Sequence, residues 1–386
     1  MLRDLTTNSS AGGLLDLVRK SGGISRSELL RLTGIARSTL YERLDQLFRS
    51  GLVYEAESRT STGGRPAKVL RLDDRNKVVV VFDLGQTRSR VAVMDLDAQP
   101  LSQVAREVAI SAGPEQVLGP LVEHARSLCS RRQVVVGIAA SVPAPVDSRT
   151  GELMRTTIMQ GWGAHSVQDY LRSFREVAVL VENDARAMAL GETHDDRSTK
   201  VVVKFANGLG CGIVVNGRVL TGVGGAAGDI GHIRILGNDL LCNCGRRGCL
   251  ATLASGRAVL NRLGMAPSAD LDAVVSLADA GDPRALAELA RASSHLGTAL
   301  ANTVATINPD EVILGGILGR YPFVAQAVRE QILKDAHHSV TDGLRVRASV
   351  LGEQAVSIGL GRLVVNDRYD ARRIDGLVSK WAGTQT

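Results

Sequence analysis

The chain has 386 residues, 44% of them hydrophobic and 22% charged, which is ample for two or three domains with buried cores. No apolar run approaches the ~18 residues of a membrane span, and the opening MLRDLTTNSS lacks the apolar stretch of a signal peptide. A membrane-embedded class is thereby excluded, and a cytoplasmic protein with reduced thiols is expected. The net charge of +6 is uneven: residues 1–75 hold 13 Lys or Arg against 9 Asp or Glu, the remainder 33 against 31. A basic head on a nearly neutral body points towards nucleic acid.

Residues 1–75 read as a DNA-binding domain. Leu14, Leu15, Leu17 and Val18 predict a short helix stopped at Ser21-Gly22-Gly23. Ser25 with Glu28 forms a capping box for a second helix, which Gly34 ends. A third helix is expected from about Ala36 to Ser50, with Leu40, Leu44, Leu47 and Phe48 on one face. Helix, tight turn, helix is the helix-turn-helix outline. The face opposite the leucines carries Arg37, Ser38, Thr39, Tyr41 and Glu42, placed to meet base edges and phosphates. LVYEAES and KVLRLD predict two strands of a wing, whose Arg65 lies between Gly64 and Pro66 and is suited to a narrow minor groove. The competing reading is a small docking domain with solvated arginines; charge, turn and wing together favour DNA.

In the body, residues 76–386, KVVVVFDLGQTRSRVAVMDLD predicts two strands joined at Gly85-Gln86-Thr87, followed by a third strand near Leu101–Val108. A helix over 114–129 and strands at 133–139 and 177–181 complete that half. The pattern restarts at Thr199 with VVVKF, the glycine turn NGLGCG, IVV and a further NGR turn; helices then fill 253–307 before the buried strand EVILGG and a helix from about Tyr321. Two such halves predict two related lobes with a cleft between them. Three glycine turns, at 85–87, 207–210 and 315–316, suit phosphate if they converge on that cleft. Asn183-Asp184 follows the strand VAVLVE and opens the helix ARAMALGE. A carboxylate there can act as a base towards a substrate hydroxyl, but an Asn or Asp before ARAMAL is equally an N-cap.

The segment Gly224–Leu250, GGAAGDIGHIRILGNDLLCNCGRRGCL, holds His232, Cys242, Cys244 and Cys249. Four N and S ligands within so short a span, with Gly245 and Gly248 to fold the backbone, predict a closed tetrahedral Zn²⁺ site. Disulfides compete, but a Cys-x-Cys pair bridges poorly and no secretory signal precedes it. Cys129 and Cys211 stand alone in apolar runs and read as small buried hydrophobes.

Together these pieces resemble the ROK family (repressors, open reading frames and sugar kinases), in its regulator branch with an N-terminal winged helix. The likeness rests on the Gly-His and CxCGxxGCL motif, DLGQT, GIAASVPAPVDSRTGEL, VENDARAMALGE and INPDEVILGG, and covers nearly the whole chain. It implies an α/β body of actin-like, hexokinase-like (RNase H-like) fold with two lobes. It also implies a sugar bound near Asn183, Asp184 and His232, and a zinc that stiffens the loop presenting His232. Against the kinase pattern, Gln86 replaces the second glycine of the phosphate turn and Asp229 replaces a glutamate. Ala251 stands for a further glutamate, and Ile158 for an asparagine. Such losses remove acceptors for sugar hydroxyls.

The reading is a sequence-specific transcriptional regulator, a repressor, that binds double-stranded operator DNA and senses a carbohydrate or sugar phosphate. Asn183, Asp184, Asp229 and His232 are expected at the ligand, with Asp184 a vestigial base and no enzymatic turnover. A homodimer or homotetramer without membrane contact is expected. The alternative is an active ATP-dependent sugar kinase with a DNA-binding head.

Overall fold

The computed structural model describes residues 9–57, 68–147, 149–154, 158–162, 166–193, 198–266 and 269–383. The chain divides into two compact units, Met1–Lys77 with Val365–Thr386, and Val78–Val364. The first unit therefore includes a C-terminal stretch that the sequence alone had assigned to the body.

In the first unit, helix α1 (Ala11–Ser21) starts at Ser10, whose hydroxyl accepts from Gly13 N at 3.0 Å, and ends on left-handed Gly22. Helix α2 (Arg26–Thr33) has the expected Ser25–Glu28 capping box and stops at Gly34, φ +65°. Helix α3 (Arg37–Arg49) buries Leu40, Leu44 and Leu47. These pack with Leu14, Leu15, Leu29 and Leu70 into a small leucine core, each side chain at most 1% exposed. Strands β1 (Val53–Glu57) and β2 (Lys68–Leu72) pair antiparallel from Val53↔Leu72 to Glu57↔Lys68. This is the expected winged helix-turn-helix; the wing tip with Arg65 lies outside the described residues. The C-terminal helix Ala371–Gly383 packs on α1, where Gly12 N donates to Asp375 Oδ1 at 2.7 Å. A Cβ at position 12 would lie 2.0 Å from Ala371 O, so only glycine allows that approach.

The second unit contains two five-stranded sheets of the same order. The first comprises β3 (Lys77–Leu84), β4 (Arg88–Met94), β5 (Pro100–Glu107), β6 (Val134–Val142) and β7 (Val179–Asn183), arranged β5-β4-β3-β6-β7. The second comprises β8 (Lys200–Phe205), β9 (Leu209–Val215), β10 (Arg218–Val219), β11 (Glu311–Gly315) and β12 (Arg345–Ala348), arranged β10-β9-β8-β11-β12. In each sheet three sequential strands form an antiparallel meander, and two later strands follow one another in parallel. The repeat inferred from the strand–turn–strand pattern is thus a repeat of topology. Each sheet has its own apolar core, one around Phe82, Leu118 and Trp162, the other around Phe205, Leu296 and Val328. The helix Asp184–Glu192 follows β7 and packs on β8 and β9 of the other sheet. It crosses so closely that a Cβ on Gly212 would meet Ala189 Cβ at 2.4 Å. Among the described residues no helix is long and apolar enough to cross a membrane.

A candidate ligand cleft beside a His/Cys3 cluster

The ends of β3, β7, β8 and β11 and their connecting loops surround a cavity of about 970 Å³ within the second unit. All three glycine turns predicted as phosphate cradles line it, as do Asn183, Asp184, Asp229 and His232. Ile158 and Ala251 line it as well and contribute apolar surface.

The two readings of Asn183-Asp184 separate cleanly. Asn183 is the cap: its Oδ1 accepts from Ala185 N at 3.0 Å and Arg186 N at 3.2 Å, and its Nδ2 donates to Ala144 O at 3.1 Å. Asp184, the first residue of the helix, lines the cleft, with Oδ1 accepting from Ala185 N at 2.8 Å. Its Oδ2 is engaged by Lys204 Nζ at 2.7 Å, the two side chains only 14% and 17% exposed. Burial alone would depress the Lys204 ammonium, but Asp184 and Asp83 outweigh it and hold its pKa above the ordinary lysine value. Asp83, at the end of β3, accepts from Ser141 Oγ at 2.8 Å. Sequence reasoning overlooked Lys204 because in VVVKF it looks like one polar residue in a strand; only the pairing of two distant segments reveals its partner.

A second overlooked element lies beneath the cleft. Arg186 is 1% exposed; its Nε donates to Glu182 Oε1 at 2.6 Å and its Nη2 to Val146 O at 3.1 Å, while Nη1 bonds to Gly225 O. It fastens the first sheet's loop at Val146 to the glycine loop that leads to Asp229. That loop hugs β9, with Cys211 N donating to Gly228 O at 2.9 Å. Gly225 and Gly228 have positive φ, and a Cβ on either would lie 1.9 Å from a backbone oxygen. Cys211 is buried there with its thiol pushed up to about 12 by desolvation and the neighbouring Asp229 charge, which makes it an inert core residue.

The turn Ile230–His232 then sets the histidine with Nε2 4.0 Å from Asp229 Oδ1. Its other nitrogen, Nδ1, lies 3.6 Å from Cys242 Sγ, and Cys244 Sγ lies 3.7 Å from Cys249 Sγ. All four ligand atoms fall within 4.8 Å of one another. A tetrahedron with metal–sulfur bonds of ~2.3 Å has edges of about 3.8 Å, so the cluster has the size of a closed four-coordinate site. Bridges Arg234↔Cys249 and Leu241↔Arg247 fold the loop, and Asn238 Nδ2 ties it down through Cys249 O at 3.2 Å and Thr252 Oγ1 at 2.9 Å. Burial and the adjacent thiols push Cys249 up to about 12, a protonation that a bound cation reverses.

On the first unit, α3 presents Arg37, Ser38, Tyr41 and Glu42 to solvent, with Thr39 half-buried. Two guanidinium groups approach the Tyr41 ring, Arg26 at 5.3 Å and Arg37 at 5.5 Å from its centre. Arg26, anchored to Glu55 at 2.7 Å, is a member of this face that the sequence did not single out.

Two like sheets facing an acid-bearing cleft define the two-lobed actin-like architecture of sugar kinases, here on a chain that begins with a winged helix. The chain belongs to the ROK family, whose profile matches residues 79–366. The xylose repressor of Bacillus subtilis (strain 168) is 26% identical over 370 residues, covering 92% of this chain and 95% of that protein. A glucokinase of Halalkalibacterium halodurans is 31% identical over 255 residues, covering 60% and 76%. The crystal structure of a ROK family transcriptional regulator, a homologue of the E. coli MLC protein, superposes with a TM-score of 0.75 at 22% identity, covering 96% of this chain and all of that one.

Proposed function

We propose that this chain is a DNA-binding transcriptional repressor whose operator affinity is set by a sugar or sugar phosphate held in the cleft. The observation that carries this reading is the salt bridge between Lys204 and Asp184. It ties up Asp184, the carboxylate that opens the helix after β7 and lines the cleft, in a chain that also carries a helix-turn-helix. Phosphoryl transfer needs its reacting groups placed to within fractions of an ångström and its charge neutralised. Here the base is paired, and the Gln86 side chain reaches across to the opposite turn, its Nε2 3.2 Å from where a Cβ on Gly208 would be. The cleft therefore binds rather than reacts, and the kinase alternative is the weaker one.

In this reading Asn183, Asp184, Asp229 and His232 contact the sugar. His232 serves twice, Nδ1 towards the metal and Nε2 towards the cleft. Zn²⁺ fits the donor set best, being borderline-soft and content with tetrahedral N/S₃ ligation. It would be held by His232, Cys242, Cys244 and Cys249 and would stiffen the loop that carries the histidine. Arg37, Ser38, Thr39, Tyr41 and Glu42 read the major groove, and Arg65 the minor groove. Ala36 caps α3 without a side-chain bond, leaving the first-turn N–H groups for phosphate. One winged helix meets few phosphates, so a dimer or tetramer on an inverted repeat is required for tight binding in the cytoplasm. Selection from random-sequence DNA with the full chain should enrich an inverted repeat, and one member of a panel including D-xylose, D-glucose and their phosphates should release it. Absence of any enriched sequence would remove the DNA-binding half of the proposal.

A further inference from the structure

The cleft brings together two carboxylates and one ammonium from three separate elements. Asp83 closes β3, Asp184 opens the helix after β7, and Lys204 sits near the end of β8, opposite Gly315 of β11. All three line the same cavity. Lys204 is bonded to Asp184 at 2.7 Å and feels the charge of Asp83. Both oxygens of Asp184 already accept, Oδ2 from Lys204 and Oδ1 from Ala185 N at 2.8 Å and Asn183 Nδ2 at 3.3 Å.

Carboxylates lining such a cleft are the usual ligands of Mg²⁺, which takes one or two of them and completes its shell with water and phosphate oxygens. An ammonium is a compact point charge of the same sign. An ammonium bonded to Asp184 repels a dication brought to the same carboxylate, so the two compete for it. We propose that Lys204, held on Asp184 in the cleft that Asp83 also lines, is a built-in cation taking the place of a divalent metal, so that the cleft takes its ligand without a metal. This deepens the reading of the cleft as a binding site, and assigns to Lys204 the positioning of Asp184 as a fixed hydrogen-bond acceptor. Ligand hydroxyls then meet a carboxylate whose charge is already balanced, and no Mg·nucleotide complex finds its anchor.

The test uses the full chain loaded with zinc, so that the His/Cys3 cluster is filled, and Mn²⁺ as the probe, followed by the loss of its free-ion electron paramagnetic resonance signal. Wild type should take up no Mn²⁺ in the cleft. Lys204→Met, and independently Lys204→Gln, should gain one site, tighter than any wild-type uptake by about tenfold or more. Adding Asp184→Asn to either variant should abolish that site. Wild type binding Mn²⁺ as tightly as the variants would overturn the proposal, and so would two folded variants that bind none. Because no sugar enters the measurement, its failure leaves ligand sensing untouched, and a failure to find a sugar ligand leaves this result standing.

Discussion

Replacing Arg186 by Met should destabilise the body by about 3–5 kcal/mol, the cost of breaking a buried ion pair from one side. Arg186 is 1% exposed and Glu182 8%, so solvent cannot compensate the stranded carboxylate. Methionine keeps much of the volume, and the loss is therefore mostly electrostatic: Glu182 keeps only its bond from Asn183 N at 2.7 Å, and the Val146 and Gly225 carbonyls lose their donor. Adding Glu182→Gln should recover part of the loss, since a neutral amide costs less to bury than an unpaired charge. Trp162, 1% exposed with Nε1 donating to Ile110 O at 2.8 Å, reports on this unit by fluorescence once Trp381 is changed to Phe. Urea unfolding in that background gives the difference from the midpoint shift at unchanged slope. A change below about 1 kcal/mol, the worth of a surface pair, would refute the view that Arg186 clamps the two loops under the cleft.

Metal analysis should find about one zinc per chain, lost in Cys244→Ser, and that variant should lose ligand response before global fold; full metal content after all three cysteines of the cluster are changed to serine would end the assignment. Arg37→Ala and Tyr41→Ala should each weaken specific DNA binding by about 1–3 kcal/mol in an anisotropy titration, with Tyr41 also releasing the guanidinium of Arg26; unchanged affinity in both would move the recognition surface elsewhere. A coupled ADP-release assay over hexoses and amino sugars should show no turnover above background; robust turnover abolished by Asp184→Asn would make the chain a kinase.

Much of this was legible in the sequence, for identifiable reasons. The capping box at Ser25, the left-handed stops at Gly22 and Gly34, and the leucine spacing of α3 are local signals, and the structure follows them. The His/Cys3 cluster was equally visible because all its ligands lie within one loop. The glycines of NGLGCG misled in part: Gly210 and Gly212 are not turn residues but lie inside β9, where their missing side chains admit the helix Asp184–Glu192. Strand β12 and the C-terminal helix on α1 went unassigned, because their partners lie far off in sequence. For the same reason Lys204 and Arg186 could not be recognised, since each acquires its meaning from a residue contributed by another element. Asn183-Asp184 was ambiguous locally; both line the cleft, and three-dimensional bonding makes Asn183 the helix cap and pairs Asp184 with Lys204.

If sugar in the cleft sets operator affinity, the two binding events are one linked equilibrium, which calorimetric titration of the releasing sugar, with and without the selected operator, measures. A coupling of ~1–3 kcal/mol would lower sugar affinity by roughly 5–150-fold when DNA is bound, matched by the same factor in operator affinity when sugar is bound. Asp184→Ala should bind operator normally and show no sugar effect. Equal sugar affinity in the two titrations, for a sugar that Asp184→Ala no longer binds, would contradict the account.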